Sequence, residues 1–185
     1  TASDAATRLL WFDAAAGPDG VLHVVYAKAG QVFYTNTAFP AGILLVPLGP
    51  GSEPRLACDS AGGIHVVFGR TDAGTDAPVL VYRRSPVLPG NPLRGEYWTA
   101  EERLVLPADA TGPVGFVAGT GQVDVLWSVS TPRERQGVLV RGARRDAVAG
   151  WSRDTDVLAA PTTSWVTSVA AIGGNVAAAV EHDGQ

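Results

Sequence analysis

Residues 55–68 read Arg-Leu-Ala-Cys-Asp-Ser-Ala-Gly-Gly-Ile-His-Val-Val-Phe, and this stretch sets the pattern for the whole chain. It contains a short apolar segment, a turn rich in Gly, and a second apolar segment that ends on an aromatic residue. Apolar segments with β-branched and aromatic residues, bounded by Gly, Asp or Ser, are typical of β-strands joined by a tight turn. The stretch therefore predicts a β-hairpin.

The same hairpin pattern recurs along the 185 residues. The related stretches are residues 10–26, 114–127 and 169–180. After the hairpin, the pattern predicts a third strand over residues 31–35, 79–83 and 137–141. It predicts a fourth strand over residues 43–46, 103–106 and 156–158. Repeats of roughly 45–60 residues with this content are typical of propeller blades.

We therefore predict an all-β protein, a β-propeller of four-stranded antiparallel blades. The repeats span about 8–48, 54–106, 113–160 and 165–185, which gives three complete blades and an unfinished fourth. A β-sandwich is the alternative. An unfinished blade exposes an unpaired strand edge. We expect either that the chain is a piece of a longer propeller or that another chain completes the last blade.

Composition excludes several classes of protein. The formal net charge of −4 argues against a nucleic-acid-binding protein or one that binds anionic membranes. Cys58 is the single cysteine, which excludes an internal disulfide or a CxxC metal site. No apolar run is long enough to span a membrane. Arginine outnumbers lysine 13 to 1, a bias typical of GC-rich bacterial genomes. We expect a secreted, periplasmic or cell-surface protein.

Two of the hairpins carry a resemblance to a known family. Residues 59–68 and 18–26 resemble the blade repeat of the bacterial sialidase-like (BNR, or Asp-box) β-propeller superfamily, and residues 150–152 are similar to the end of its Asp-box. The resemblance covers nearly the whole chain and implies the propeller architecture. The full motif Ser-x-Asp-x-Gly-x-Thr-Trp is absent. Members of the family include glycoside hydrolases, polysaccharide lyases, lectins and non-catalytic scaffolds, so the resemblance fixes no activity.

The resemblance also provides a comparison for catalysis. A retaining sialidase uses three arginines on the substrate carboxylate, a Tyr nucleophile beside a Glu, and an Asp acid. Arg8 and Arg55 lack the Pro that follows the family's first arginine. Glu96 and Tyr97 are adjacent but lie in an insert between the third and fourth strands. We therefore assign no catalytic residue, no metal and no cofactor.

We expect a non-catalytic module that binds a glycan or a protein partner through loops on one face. One alternative is a segment of a sialidase-like glycoside hydrolase or polysaccharide lyase; another is a structural subunit of a larger assembly. The loops that enter each first strand share a face with those between the second and third strands. Six candidate ligand-binding residues lie in these loops: Arg55, Asp72, Asp76, Arg133, Arg135 and Trp165.

If these residues bind a ligand, their chemistry suits a carboxylated glycan or an acidic partner. Arginine binds carboxylates through two parallel hydrogen bonds, and an exposed Trp165 in a Thr- and Ser-rich loop suits stacking on a sugar. A calcium site at Asp72 and Asp76 and a merely solvated surface for the arginines are the alternatives.

Other polar and aromatic residues have structural explanations. His23 and His65 occupy one repeat position, which favours a shared structural role over metal binding or acid–base chemistry. Trp98 and Trp151 also recur, and we expect them to pack between blades. Asp13 and Asp59 precede turns, where an Asp side chain bonds to the backbone of its own turn.

Overall fold

The computed structural model describes residues 11–38, 45–85, 95–119, 121–130, 137–152, 155–161, 164–172 and 175–182. Within these ranges the chain forms fifteen β-strands and a single-turn 3-10 helix at Gly95–Tyr97. Every pair of hydrogen-bonded strands is antiparallel. The predicted all-β class is confirmed.

In the first two sheets, each strand pairs with the next one along the chain. The first sheet consists of β1 (Trp11–Ala16), β2 (Leu22–Lys28), β3 (Gln31–Asn36) and β4 (Val46–Pro50). The second sheet consists of β5 (Ser52–Cys58), β6 (Ile64–Thr71), β7 (Pro78–Ser85) and β8 (Glu102–Val105).

The third sheet repeats this order, and a hairpin follows it. Its strands are β9 (Ala110–Gly119), β10 (Gln122–Ser130), β11 (Gly137–Asp146), β12 (Gly150–Trp151) and β13 (Thr155–Pro161). The strands β12 and β13 share the fourth position, because they pair with different parts of β11. The hairpin consists of β14 (Ser164–Ile172) and β15 (Asn175–His182). The described chain thus contains three four-stranded antiparallel sheets, which confirms the predicted four-stranded unit. These sheets do not close into a barrel.

The fourth strand of the first sheet differs from the prediction. It covers Val46–Pro50, whereas we expected residues 43–46, of which 43 and 44 lie outside the described residues. The strand contains two prolines, Pro47 and Pro50. They are tolerated because β4 is the edge of the sheet and pairs with β3 on one side only.

Glycine holds the turn between the first and second strands of each sheet. Gly20, Gly62 and Gly121 have φ values of +77°, +88° and +76°. An L-residue with a Cβ rarely adopts this left-handed conformation, whereas glycine does so at little cost. The repeated Gly in the sequence pattern therefore marks one backbone position in each of the three sheets.

The second sheet is buried on both faces, and this places the core. Val66 and Phe68 face the first sheet, where they meet Val25 and Tyr34. Val67, the residue between them, faces the third sheet. Five consecutive residues, 64–68, are consequently buried. Burial on both faces explains why this strand is a continuous apolar run and does not alternate between apolar and polar residues.

The recurring tryptophans pack between sheets, as the repeat predicted. Trp98 follows the 3-10 helix in the connection between β7 and β8 and meets the ring of Tyr34 in the first sheet edge-on, with centroids 5.0 Å apart. Trp151 belongs to the third sheet and meets Tyr82 of the second in the same way, at 5.7 Å. Each contact joins one sheet to the one before it.

The first strands of successive sheets lie next to one another: β1 contacts β5, β5 contacts β9, and β9 contacts β14. The Asp13 carboxylate on β1 accepts a hydrogen bond from the backbone N–H of Leu56 on β5, at 2.9 Å. On β5, the Nε of Arg55 donates to the Pro113 carbonyl on β9, at 3.2 Å. The turn role predicted for Asp13 is therefore wrong, because β1 extends past it to Ala16.

Candidate functional site

A cleft of about 390 Å³ opens at one end of the sheets. Its walls come from the β2–β3 turn, from the segments that enter β5 and β9, and from the last residues of β6 and the first residues of β7. Its lining consists of Gly30, Gly51, Ser52, Glu53, Gly69, Arg70, Thr71, Pro78, Val79, Leu80, Leu106, Ala110, Thr111 and Gly112. These are the two kinds of loop that the sequence placed on one face, so segments from three sheets meet at that end.

Close packing excludes a side chain at two of the glycines in this lining. A Cβ on Gly51 would lie 2.5 Å from the Phe68 ring, and one on Gly112 would lie 2.0 Å from a carboxylate oxygen of Glu53. At Gly69 the nearest atom to an added Cβ is 3.7 Å away, so that position has room. The packing of the cleft wall therefore requires glycine at Gly51 and Gly112.

Glu53 enters the cleft from a β-bulge. Ser52 pairs with Gly69 and Arg55 pairs with Val67, so Glu53 and Pro54 together oppose one residue of β6. The φ of Glu53 is +51°, a strained value for a residue with a side chain. Bulges change the direction of a side chain relative to its strand. Here the bulge places the Glu53 carboxylate over Gly112, which leaves space for it.

Alternating charges follow one side of the cleft. Arg70 lines the cleft and donates two hydrogen bonds to Glu101, at 3.1 and 2.8 Å. Arg103 lies 3.7 Å from Glu101 and 3.2 Å from Asp72. The backbone N–H of Gly74 and the nearby Arg103 lower the pKa of Asp72. These cations and anions therefore neutralise one another.

The candidate ligand-binding residues are distributed differently from the prediction. Arg55 bonds to the backbone of β9, Asp72 bonds to its own turn and to Arg103, and Asp76 is exposed with a φ of +54°. The described lining of the cleft includes none of these three. Trp165 lies on β14 opposite Glu181. Arg133 and Arg135 lie outside the described residues.

The calcium alternative has no structural support in the described part of the chain. Among these residues, no three His, Cys, Asp or Glu side chains are grouped closely enough to hold a metal ion. Instead, the Asp72 carboxylate accepts the backbone N–H of Gly74 at 2.9 Å and the side chain of Arg103.

The repeated histidines lie at the opposite end of the strands and join neighbouring side chains. The Nδ1 of His23 lies 2.6 Å from the Tyr34 hydroxyl. The Nδ1 of His65 lies 2.7 Å from the Tyr82 hydroxyl, and its Nε2 lies 3.1 Å from Asp59. Burial lowers the pKa of both imidazoles. A neutral His65 donates Nε2–H to Asp59 and accepts from Tyr82 at Nδ1.

These contacts support the structural interpretation of the repeat position, with tyrosine hydroxyls as the partners. The turn role of Asp59 is confirmed, because its Oδ1 accepts from the N–H groups of Ala61 and Gly63 at 2.9 and 2.7 Å. In the third sheet Asp124 takes the histidine position and pairs with Arg144 at 2.8 Å. The repeat position of His23, His65 and Asp124 thus links the second and third strands in all three four-stranded sheets. The link is a His–Tyr hydrogen bond in the first two sheets and an Asp–Arg ion pair in the third.

None of the scanned protein-family models matches the chain, and neither does any of the curated proteins compared with it. Within the described residues, no helix is long and apolar enough to cross a membrane.

Proposed function

We propose that the sheets are the blades of a β-propeller and that the chain is a non-catalytic binding module whose ligand occupies the cleft. Two observations support the propeller: first strands lie side by side in chain order, and successive sheets cover each other's faces. In a propeller, the strands of each blade follow one another outward from the axis, and the loops at one end of the blades form a common surface.

The position of the cleft carries the functional part of the proposal. The cleft lies where connections of three sheets converge, and concave sites with a few polar groups are the usual places for ligands. The opposite ends of the strands are occupied by the His–Tyr contacts, which have a structural role.

The charges favour binding over hydrolysis. A glycoside hydrolase needs two carboxyl groups on either side of the scissile bond. Glu53 is the one carboxylate in the described lining of the cleft. Glu101, behind Arg70, is held by two hydrogen bonds from that arginine. We therefore propose a ligand that is bound and released unchanged.

Between a glycan and a protein partner, the lining favours the protein. Sugar sites commonly present an aromatic ring to the apolar face of the sugar, and the described lining contains no aromatic side chain.

The test is a pair of binding arrays, one of glycans and one of short peptides of varied charge. We expect saturable binding on the peptide array and no turnover of glycosides. Gly69→Leu, which has room for a Cβ but fills the cleft, should weaken binding by at least about tenfold. Gly74→Leu, in the exposed β6–β7 turn, is the matched control and should bind as the unaltered protein does. Release of sugar from a glycoside, or unchanged binding by Gly69→Leu, would contradict the proposal.

A further inference from the structure

We infer that the cleft binds a basic side chain of a partner protein, an arginine or a lysine, with Glu53 as its counterion. This inference rests on the proposed binding function and specifies its ligand. It gives the ligand the opposite charge to the carboxylated sugar or acidic partner that the clustered arginines suited.

The arginines around the described cleft are already engaged. Arg70 makes two hydrogen bonds to Glu101, and Arg103 contacts both Glu101 and Asp72. Arg55 donates to a backbone carbonyl of the neighbouring sheet. An acidic ligand would have to compete with these partners for each guanidinium. Because partner exchange gains little free energy, the arginines provide little affinity for an acid.

Glu53 differs from these arginines, because its charge is not paired within the described residues. Its carboxylate lines the cleft, and no ion-pair or hydrogen-bond partner for it lies in the described part of the chain. Its backbone is held at a φ of +51° by the bulge, and Gly112 keeps the space for the side chain free. Among the described residues, Glu53 is therefore an anion without a partner where β5 meets β9. A ligand cation would supply the missing partner.

The rest of the lining suits the donors that such a cation carries. A guanidinium has five N–H groups in one plane, and a carboxylate accepts two of them in parallel. The hydroxyl groups of Ser52 and Thr71 belong to the same lining and can accept further hydrogen bonds.

The experiment is an NMR titration of the whole chain with three blocked tripeptides that differ in the central residue. The probes are acetyl-Gly-Arg-Gly-amide, acetyl-Gly-Gln-Gly-amide and acetyl-Gly-Glu-Gly-amide. We expect amide shifts at Glu53, Thr71 and Gly112 with the arginine peptide and much smaller ones with the other two. Raising the salt concentration should weaken binding of the arginine peptide, because the pair is partly open to solvent.

Three variants assign the effect to the carboxylate. Glu53→Gln should weaken binding of the arginine peptide by about tenfold, as expected for loss of a charge-assisted pair. Gly112→Ala keeps the charge but displaces the carboxylate, and it should weaken binding by a similar factor. Asp76→Asn removes an equal charge from an exposed residue with a similar φ and should leave the affinity unchanged.

The outcomes separate this inference from the proposed function. Equal shifts in the cleft with the glutamine or glutamate peptide, or unchanged affinity in Glu53→Gln, would overturn the inference while leaving a binding cleft. Glucosamine serves as a fourth probe. If this amino sugar binds in the cleft and the arginine peptide does not, the assignment to a protein side chain is also overturned. Shifts outside the cleft with every probe would overturn both the inference and the proposed site.

Discussion

We expect Trp98→Ala to lower the free energy of unfolding by about 3–5 kcal/mol, the usual cost of removing a large buried aromatic side chain. Trp98 is 5% exposed and belongs to the core shared by the first and second sheets. Its ring meets Tyr34 edge-on, so the change leaves a cavity between two sheets and removes an aromatic contact. Urea denaturation measures the loss.

The neighbouring Tyr97 is the control for this prediction. Its side chain is 37% exposed, and Tyr97→Ala should cost about 1 kcal/mol or less. If Trp98→Ala costs no more than Tyr97→Ala, Trp98 does not hold the sheets together. A fall in the urea dependence of unfolding would instead indicate that the two sheets unfold separately.

The second large effect is expected from His65→Ala, about 2–4 kcal/mol of lost stability. His65 is 3% exposed and bonds to both Asp59 and Tyr82. Its removal leaves two buried polar groups without their partner and opens a cavity. Combining the change with Tyr82→Phe should give less than the sum of the single effects, because both remove the same hydrogen bond.

The pH dependence gives this prediction a specific signature. Burial lowers the pKa of His65 from its usual 6.5. Below pH 6.5 the unfolded chain therefore binds a proton that the folded chain does not. The free energy of unfolding consequently decreases as the pH is lowered from 6.5 to the pKa of His65 in the folded protein. His65→Ala should reduce this slope, and His23, whose pKa burial also lowers, contributes to the part that remains. An unchanged slope would show that His65 is not buried and neutral.

Asp59 acts in a lower pH range. Hydrogen bonds from His65 and from the backbone lower its pKa below 3.8, despite the opposing effect of burial. Its carboxylate therefore contributes stability that is lost as the pH falls below about 4. As the pH is lowered, the effect of His65 consequently begins near pH 6.5 and that of Asp59 only near pH 4.

The all-β class and the four-stranded antiparallel sheets could be predicted from the sequence because each unit carries its own local signals. Each repeat shows apolar strand segments and a Gly in the first turn, which the structure places at positive φ. Comparison of the repeats adds the Trp that recurs and packs between sheets. The partners of His23 and His65 were also within reach. Tyr34 and Tyr82 recur at one position of the third strand in the first two repeats.

The cleft could not be predicted, because it depends on register and on contacts between sheets. Glu53 enters it through a bulge, and a bulge changes which side chains face the cleft without leaving a clear signal in the sequence. The pairing of Arg70 with Glu101 joins residues far apart in the chain. Charge clusters in the sequence show neither which charges are paired nor which one is left free.

Hydrogen exchange with the strongest binder from the arrays tests the central claim most directly, namely that the cleft end of the sheets is the binding surface. We predict slower amide exchange in residues 51–53, 69–71 and 110–112 when the ligand is bound. Exchange in the turns at the other end, residues 17–20 and 59–63, should stay unchanged. Protection of those turns without protection around Glu53 would contradict the account.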